Sequence, residues 1–269
     1  WRCERLVEVE LFDGLEEIEY GAFYNCGSLK RFKVPSTVKK IGDNAFTGCE
    51  ELVEVELCEG LEQIGWRAFC ACKSLERIKI PSTVKFIGEG ALRNCQKLVE
   101  VELSEGLEEM GDGAFCGCRS LNRLKVPSSV KRIDGLTFLC CEQLIGVELS
   151  EGSKKIVSNA FQNCISMRNV AFPSDIQTQA LLCFEGCHDL MKLFGSRQKI
   201  YDALKSRFDG LPVHRLCYYQ SFRLTEVAIG QLRNLPDQNE LLNNQDCLGM
   251  TPLHILACST KHDIELYQF

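Results

Sequence analysis

Residues 26–49 read CGSLKRFKVPSTVKKIGDNAFTGC, closing on the residue type that opens them, 23 positions further on. Working outward, Leu29 has counterparts at Leu6, Leu52, Leu75, Leu98, Leu121, Leu144, Met167 and Leu190. Cys26 has its own at Cys3, Cys49, Cys72, Cys95, Cys118, Cys141, Cys164 and Cys187. Phe46 belongs to a third column, Phe23, Phe69, Leu92, Phe115, Phe138, Phe161 and Phe184, with Ala22, Ala45, Ala68, Ala91, Ala114, Thr137, Ala160 and Cys183 in front of it. The interval runs to residue 190 without insertion or deletion. A period that strict predicts stacked coils, because one extra residue would throw every column out of register. Numbered from Cys3, coil 1 is 3–25, coil 2 is 26–48, and so on.

Within a coil the pattern reads as a short strand, a turn, a second extended piece and a compact turn. In coil 3, Leu52, Val55 and Leu57 alternate imperfectly with Glu54 and Glu56, as a strand with one wet face does. Turn residues follow: Glu59-Gly60 in odd coils, Pro-Ser (Pro35-Ser36, Pro81-Ser82, Pro127-Ser128) in even ones. Leu61 and Ile64 bring apolar groups back inside, Gly65 begins the last turn, and Ala68, Phe69 and Cys72 fill it. At about 4.8 Å per rung, nine rungs make a solenoid about 40 Å long.

These units resemble the BspA-like class of leucine-rich repeats, whose pattern is Leu-x-x-Ile-x-Leu-Pro-x-x-Leu-x-x-Ile-Gly-x-x-Ala-Phe-x-x-Cys. Leu29, Phe32, Val34, Pro35, Val38, Ile41, Gly42, Ala45, Phe46 and Cys49 carry it nearly whole. Asp134, Val157 and Ala180 depart from it at the Gly. The resemblance implies a right-handed coil of short parallel strands and tight turns over residues 1–194, serving as a surface or interaction module and not as a catalyst.

Composition bounds the alternatives. With 45% hydrophobic residues among 269 the chain has material for a sizeable core, unlike a disordered tail. No run approaches the roughly eighteen apolar residues of a spanning helix, so no membrane insertion is expected. A net charge of −6 argues against nucleic acid as partner.

Odd and even coils differ in charge, making the true duplication unit two coils long. Glu8/Glu10, Glu54/Glu56 and Glu100/Glu102 alternate with Arg31/Lys33, Arg77/Lys79 and Arg123/Lys125 on the first strand. Glu16, Lys39, Glu62, Lys85, Glu108 and Lys131 alternate on the second. Stacked one rung apart, these form ladders of opposite sign that favour the correct register by roughly 0.2–1 kcal/mol per contact. The alternation fails where Gly146, Asn169 and Ala171 replace charges, and Lys154 and Lys155 follow Lys131 and Arg132, four cations stacked without acidic neighbours. Those four are candidate protein-binding residues for an acidic partner. Tyr20, Trp66 and Phe86 join them, because their equivalents in other coils are mostly polar and large exposed aromatics are enriched at interfaces.

Seventeen Cys, an odd number, exclude a fully paired disulfide framework within one chain. The Cys column reads as a packing spine of small hydrophobes. Cys70/Cys72, Cys116/Cys118 and Cys140/Cys141 each commit one member inward with no His nearby, so no metal site is expected. Residues 1–187 hold no His, which removes Ser-His and Cys-His catalysis there. Carboxylates beside Lys and Arg stay ionised and make poor general acids. No phosphate-binding Gly loop is present, so neither an enzyme nor a cofactor is expected.

Beyond Leu190 the columns end. Ser196 can cap a helix through Ile200, Ala203, Leu204 and Phe208. Leu211–Cys217 recurs as Met250–Cys258, and the second copy resembles the ankyrin repeat. By that resemblance Thr251 caps a helix, Pro252 occupies its first turn and His254 bonds backbone in neighbouring loops. Residues 195–269 are thus expected to be an all-α ankyrin-like region, cut short after residues 262–269 and weakly held there. The leading functional expectation is a cytoplasmic interaction scaffold with an unidentified protein partner and no legible oligomeric state. A thiol-based redox or metal-responsive protein and an extracellular adhesion module are the alternatives; ankyrin-like units and unpaired Cys favour the cytoplasm.

Overall fold

The structure is a computed structural model that describes residues 2–150, 155–157, 159–171, 177–178, 183–194 and 245. The chain divides into two compact units, Trp1–Tyr201 and Asp202–Phe269. The expected ankyrin-like region, including Thr251, Pro252 and His254, lies outside the described residues apart from Gln245.

Alternation of apolar and charged residues produces short strands with one buried face. The first extended piece of each coil forms β2 (Arg31–Lys33), β4 (Glu54–Glu56), β6 (Arg77–Ile80), β8 (Glu100–Leu103), β10 (Arg123–Val126), β12 (Gly146–Leu149) and β14 (Asn169–Ala171). The second forms β1 (Glu17–Ile18), β3 (Lys40–Ile41), β5 (Gln63–Ile64), β7 (Phe86–Ile87), β9 (Glu109–Met110), β11 (Arg132–Ile133), β13 (Lys155–Ile156) and β15 (Gln177–Thr178). Even-numbered strands make one parallel sheet of seven and odd-numbered strands another of eight, each strand beside its counterpart in the next coil. This is a parallel-strand β-solenoid, and equivalent residues pair directly: Phe32 with Val55, Ile41 with Ile64, Ile78 with Val101.

The uninterrupted period expected from the columns fails at one place. Gly146 pairs with Asn169, in step, but Ile156 pairs with Thr178, one residue short.

A third ladder runs through the compact turn. The amides of Phe23, Phe46, Phe69 and Leu92 donate to the carbonyls of Ala45, Ala68, Ala91 and Ala114 in the following coil, at 2.7 to 2.8 Å. Two backbone positions in the compact turn of each coil are left-handed, and odd coils add a third at Gly14, Gly60 and Gly106. One column comprises Gly21, Asn44, Arg67, Gly90, Gly113, Leu136 and Asn159; the other comprises Arg2, Asn25, Gly48, Ala71, Asn94, Gly117, Cys140, Asn163 and Gly186. In the second, Asn and Gly fit by size. A Cβ on Gly48 would stand 2.0 Å from Asn25 Oδ1, and one on Gly117 would stand 2.3 Å from Asn94 Oδ1. The repeat Gly is needed for a different reason: a Cβ on Gly88 would meet the backbone of Gly65 at 2.5 Å.

Phe46, Phe69, Phe115, Phe138, Phe161 and Phe184 are fully buried. Their rings stack with centroids 5.1 Å apart between Phe46 and Phe69 and 5.4 Å between Phe138 and Phe161, and Leu92 interrupts the column. Such pairs add about 0.5–1.5 kcal/mol each beyond area burial. After coil 8 the columns reach Cys187 and Leu190, both buried; Leu190 lies on a helix, α1 (His188–Phe194), and Cys187 immediately precedes it. Asp189 in its first turn suits the helix dipole and receives Arg168 at 2.7 Å.

Candidate functional site

The outward side chains of the two sheets form the accessible walls. On the seven-stranded sheet Lys33 meets Glu56 at 2.9 Å, Lys79 meets Glu102 at 2.9 Å and Lys125 meets Glu148 at 3.0 Å. Arg31 and Arg77 approach Glu54 and Glu100 at 3.6 and 3.7 Å. The second ladder joins Lys85 to Glu108 at 3.7 Å and Lys39 to Glu62 at 4.0 Å. The expected cross-rung pairing is therefore present, most of it exposed and individually weak.

The turns interlock as well, a feature the residue pattern signalled only as a turn type. In coil 5 the Glu105 carboxylate accepts hydrogen bonds from Ser128 N (3.2 Å), Ser128 Oγ (2.9 Å) and Ser129 N (3.3 Å) of the next coil. Burial alone would raise the Glu105 pKa, but these hydrogen bonds together outweigh it and hold the carboxyl below its ordinary value. Glu59 accepts in the same way from Ser82. In return Thr83 Oγ1 accepts from Gly60 N at 3.0 Å and donates to the Leu61 carbonyl at 2.6 Å. The signal was present in the co-occurrence of Glu-Gly in one coil with Pro-Ser-Thr/Ser in the next.

The structure brings some candidate contact residues together. Phe86, Arg132 and Lys155 share one outward column of the eight-stranded sheet, through the register Phe86–Glu109–Arg132–Lys155. Lys131 precedes Arg132 and sends its Nζ to the Ser128 carbonyl at 3.2 Å. Lys154 lies outside the described residues. The absence of acidic neighbours read for this group is corrected at Arg132: its guanidinium Nε donates to Asp134 Oδ1, and Glu109 is its neighbour in register. Asp134 stands where earlier coils carry Gly, so the departure from the repeat itself supplies the anion. Among the described residues neither Lys131 nor Lys155 forms an ion pair. Tyr20 and Trp66 belong to the neighbouring turn column with Asp43 between them. Trp66 N donates to Asp43 Oδ1 at 2.8 Å, and the Arg67 guanidinium lies 4.4 Å from the indole centroid.

The thiol column has a bonding role beyond packing. Cys72 Sγ donates to the Phe46 carbonyl at 3.2 Å, Cys95 to Phe69, Cys118 to Leu92, Cys141 to Phe115 and Cys164 to Phe138. Burial pushes Cys49 and Cys187 up to about 12 and Cys72, Cys95, Cys118, Cys141 and Cys164 well above the ordinary thiol range. Protonated thiols are poor nucleophiles and poor metal ligands. Among the described residues every cysteine is free, and no three His, Cys, Asp or Glu converge to hold a metal ion.

This coil geometry defines a class of protein, the leucine-rich repeats with strand-and-turn coils. The BspA-type leucine-rich repeat region, in six copies, matches residues 2–95 and 63–191, and the chain belongs to that family. A leucine-rich repeat protein of T. pallidum is 35% identical with a TM-score of 0.56, over 58% of this chain and 74% of that one. One from Eubacterium ventriosum is 27% identical with a TM-score of 0.56, over 60% of this chain and 44% of the other, so the chain spans less than half of its length. No curated protein matches the chain. Repeat proteins of this family commonly serve as interaction or surface modules, and no catalytic family is indicated.

Proposed function

We propose that the chain is a non-catalytic protein–protein interaction scaffold in which the solenoid, residues 1–194, is joined to a helical ankyrin-like region, residues 195–269, and that it works in the cytoplasm on a partner with an acidic surface. The observation that carries this reading is the contrast along the second-strand face. Lys39 and Lys85 form ion pairs with acids of the next coil, whereas Lys131, one rung from Glu108, and Lys155 form none among the described residues. Phe86 supplies an apolar anchor on the same column, 43% exposed. Cations without an ion-pair partner on the same face as an exposed aromatic favour an acidic protein surface, because the charge steers encounter and the ring supplies burial. Free thiols suit a reducing compartment. Thr251, Pro252 and His254 support the ankyrin-like reading through their motif alone.

The test is capture of partners by the wild-type chain and by Lys154→Glu/Lys155→Glu, side by side, in low and moderate salt. The proposal expects at least one partner to be lost or weakened roughly tenfold. Identical capture by both baits removes the basic patch from the reading.

A further inference from the structure

The outward column that carries the basic patch has a closed part and an open part. In coils 1 and 2 it is closed, with Lys40 Nζ 2.8 Å from Glu17. Gln63, uncharged, follows in register. Beyond it Phe86, Glu109, Arg132 and Lys155 succeed one another on β7, β9, β11 and β13, all four exposed. Among the described residues Glu109 and Lys155 form no ion pair, and Arg132 pairs sideways with Asp134 of its own coil. From coil 4 to coil 7 the column thus offers an aromatic ring, an anion and two cations in a row.

The spacing of that row selects the conformation of what can lie on it. Parallel rungs stand about 4.8 Å apart, which puts the four side chains at about 0, 5, 10 and 14 Å. A helix rises about 1.5 Å per residue, so positions i, i+3, i+7 and i+10 of one stripe fall at about 0, 4.5, 10.5 and 15 Å. An extended segment returns to one face about every 6.8 Å, and its fourth such residue lies about 20 Å along, more than a rung out of place.

We infer that this column seats an amphipathic helix of a partner protein, lying along the solenoid axis. Its apolar residue at i covers Phe86, a Lys or Arg at i+3 meets Glu109, and Glu or Asp at i+7 and i+10 meet Arg132 and Lys155. The inference rests on the acidic-partner reading of the basic patch and gives that partner a shape. Charge also fixes polarity, because a reversed helix would set its acids against Phe86 and Glu109. Asp134 competes with the helix for Arg132.

Anisotropy titration of the full chain with three labelled peptides tests this. The first is an Ala-rich helix with Leu, Arg, Glu and Glu at i, i+3, i+7 and i+10. The second has the same composition with the two glutamates moved to i+5 and i+9, the opposite face. The third sets the same four side chains at alternate positions of a Thr-rich extended segment. The first peptide is expected to bind at least about tenfold tighter than the others. Lys155→Glu is expected to abolish that preference and a Lys at i+10 of the peptide to restore it, while Asp134→Gly, which reinstates the repeat residue, tightens binding about threefold. Equal binding of all three peptides, each weakened by Lys155→Glu, overturns the helix and leaves the acidic-partner reading standing, as does tightest binding of the extended one. A preference that Lys155→Glu leaves intact removes the helix from this column. Absence of binding by any of the three at millimolar concentration overturns both readings.

Discussion

At the scale of single residues the compact turns rest on two left-handed columns, and the residues that occupy them are unevenly suited to the task. Ala71, at φ 59, and Leu136, at φ 57, occupy positions that Gly or Asn, the residues that tolerate this conformation best, hold in most other coils. A left-handed L-residue costs about 1–2 kcal/mol, of which the greater freedom of unfolded Gly returns about 0.4–1. Ala71→Gly is therefore expected to stabilise the chain by about 0.5–1 kcal/mol, seen as roughly a 2–4 °C rise in Tm by calorimetry. The buried thiols lead to a second expectation. Under native conditions at pH 8 an aromatic disulfide reagent should leave Cys72, Cys95, Cys118, Cys141 and Cys164 unlabelled while exposed Cys3 reacts, and denaturant should release all of them; rapid native labelling of the five would contradict their burial. The residue pattern made the Leu, Phe and Cys columns legible because each repeats at one fixed offset and one residue type. The left-handed columns mix Asn, Gly, Ala, Leu, Arg and Cys and share a backbone angle instead of a chemistry. The thiol-to-carbonyl bond joins residues 26 apart, such as Cys72 and Phe46, and so crosses between two columns that were each read separately.

At the scale of strands and turns, the coil boundaries and the alternation of turn types were readable, while their interlocking was not, because it depends on a side chain of one coil reaching backbone amides of another. The Glu105 cap makes this contact titratable. Its folded pKa is depressed, so its contribution is present above the unfolded carboxyl value near 4.3 and disappears as pH falls through the folded value. Glu105→Gln is expected to lower Tm at pH 7, with the gap from wild type closing below about pH 4; a gap independent of pH would mean that shape alone, and not the charge, holds the turn. The slip at Thr178 and the helix at His188–Phe194 show where pattern reading fails for a physical reason. Columns record which residues are buried, and a helix can bury Leu190 as well as a strand can. The candidate site was legible as residue types in register, and its neutralisation at Arg132 was hidden because Asp134 lies on the same strand edge and not on a stacked rung.

At the scale of the whole molecule the repeat is built in twos. Excision of residues 72–94 would set Glu54, Glu56 and Glu62 directly beneath Glu100, Glu102 and Glu108 and leave the Glu59 turn without Ser82. Excision of residues 72–117 would rejoin an odd coil to an even one with the charge alternation and the cap replaced by Ser128. The shorter deletion is expected to be the more destabilising, by about 2–4 kcal/mol over some six altered contacts, and thermal unfolding of the two variants checks it; the opposite order would mean that lost area outweighs register. The three ladders of backbone hydrogen bonds also decide how the rod responds to force. They link neighbouring coils and run along the long axis, so tension applied through Cys3 and Leu190 loads one rung after another and not all of them together as in a sheared sheet. A terminal coil has a neighbour on one side only, and peeling it away leaves the next in the same position. Extension should then proceed as a staircase, each step releasing one loop of 23 residues, a gain of about 75 Å in contour, which gives the molecule the compliance of an unwinding spring.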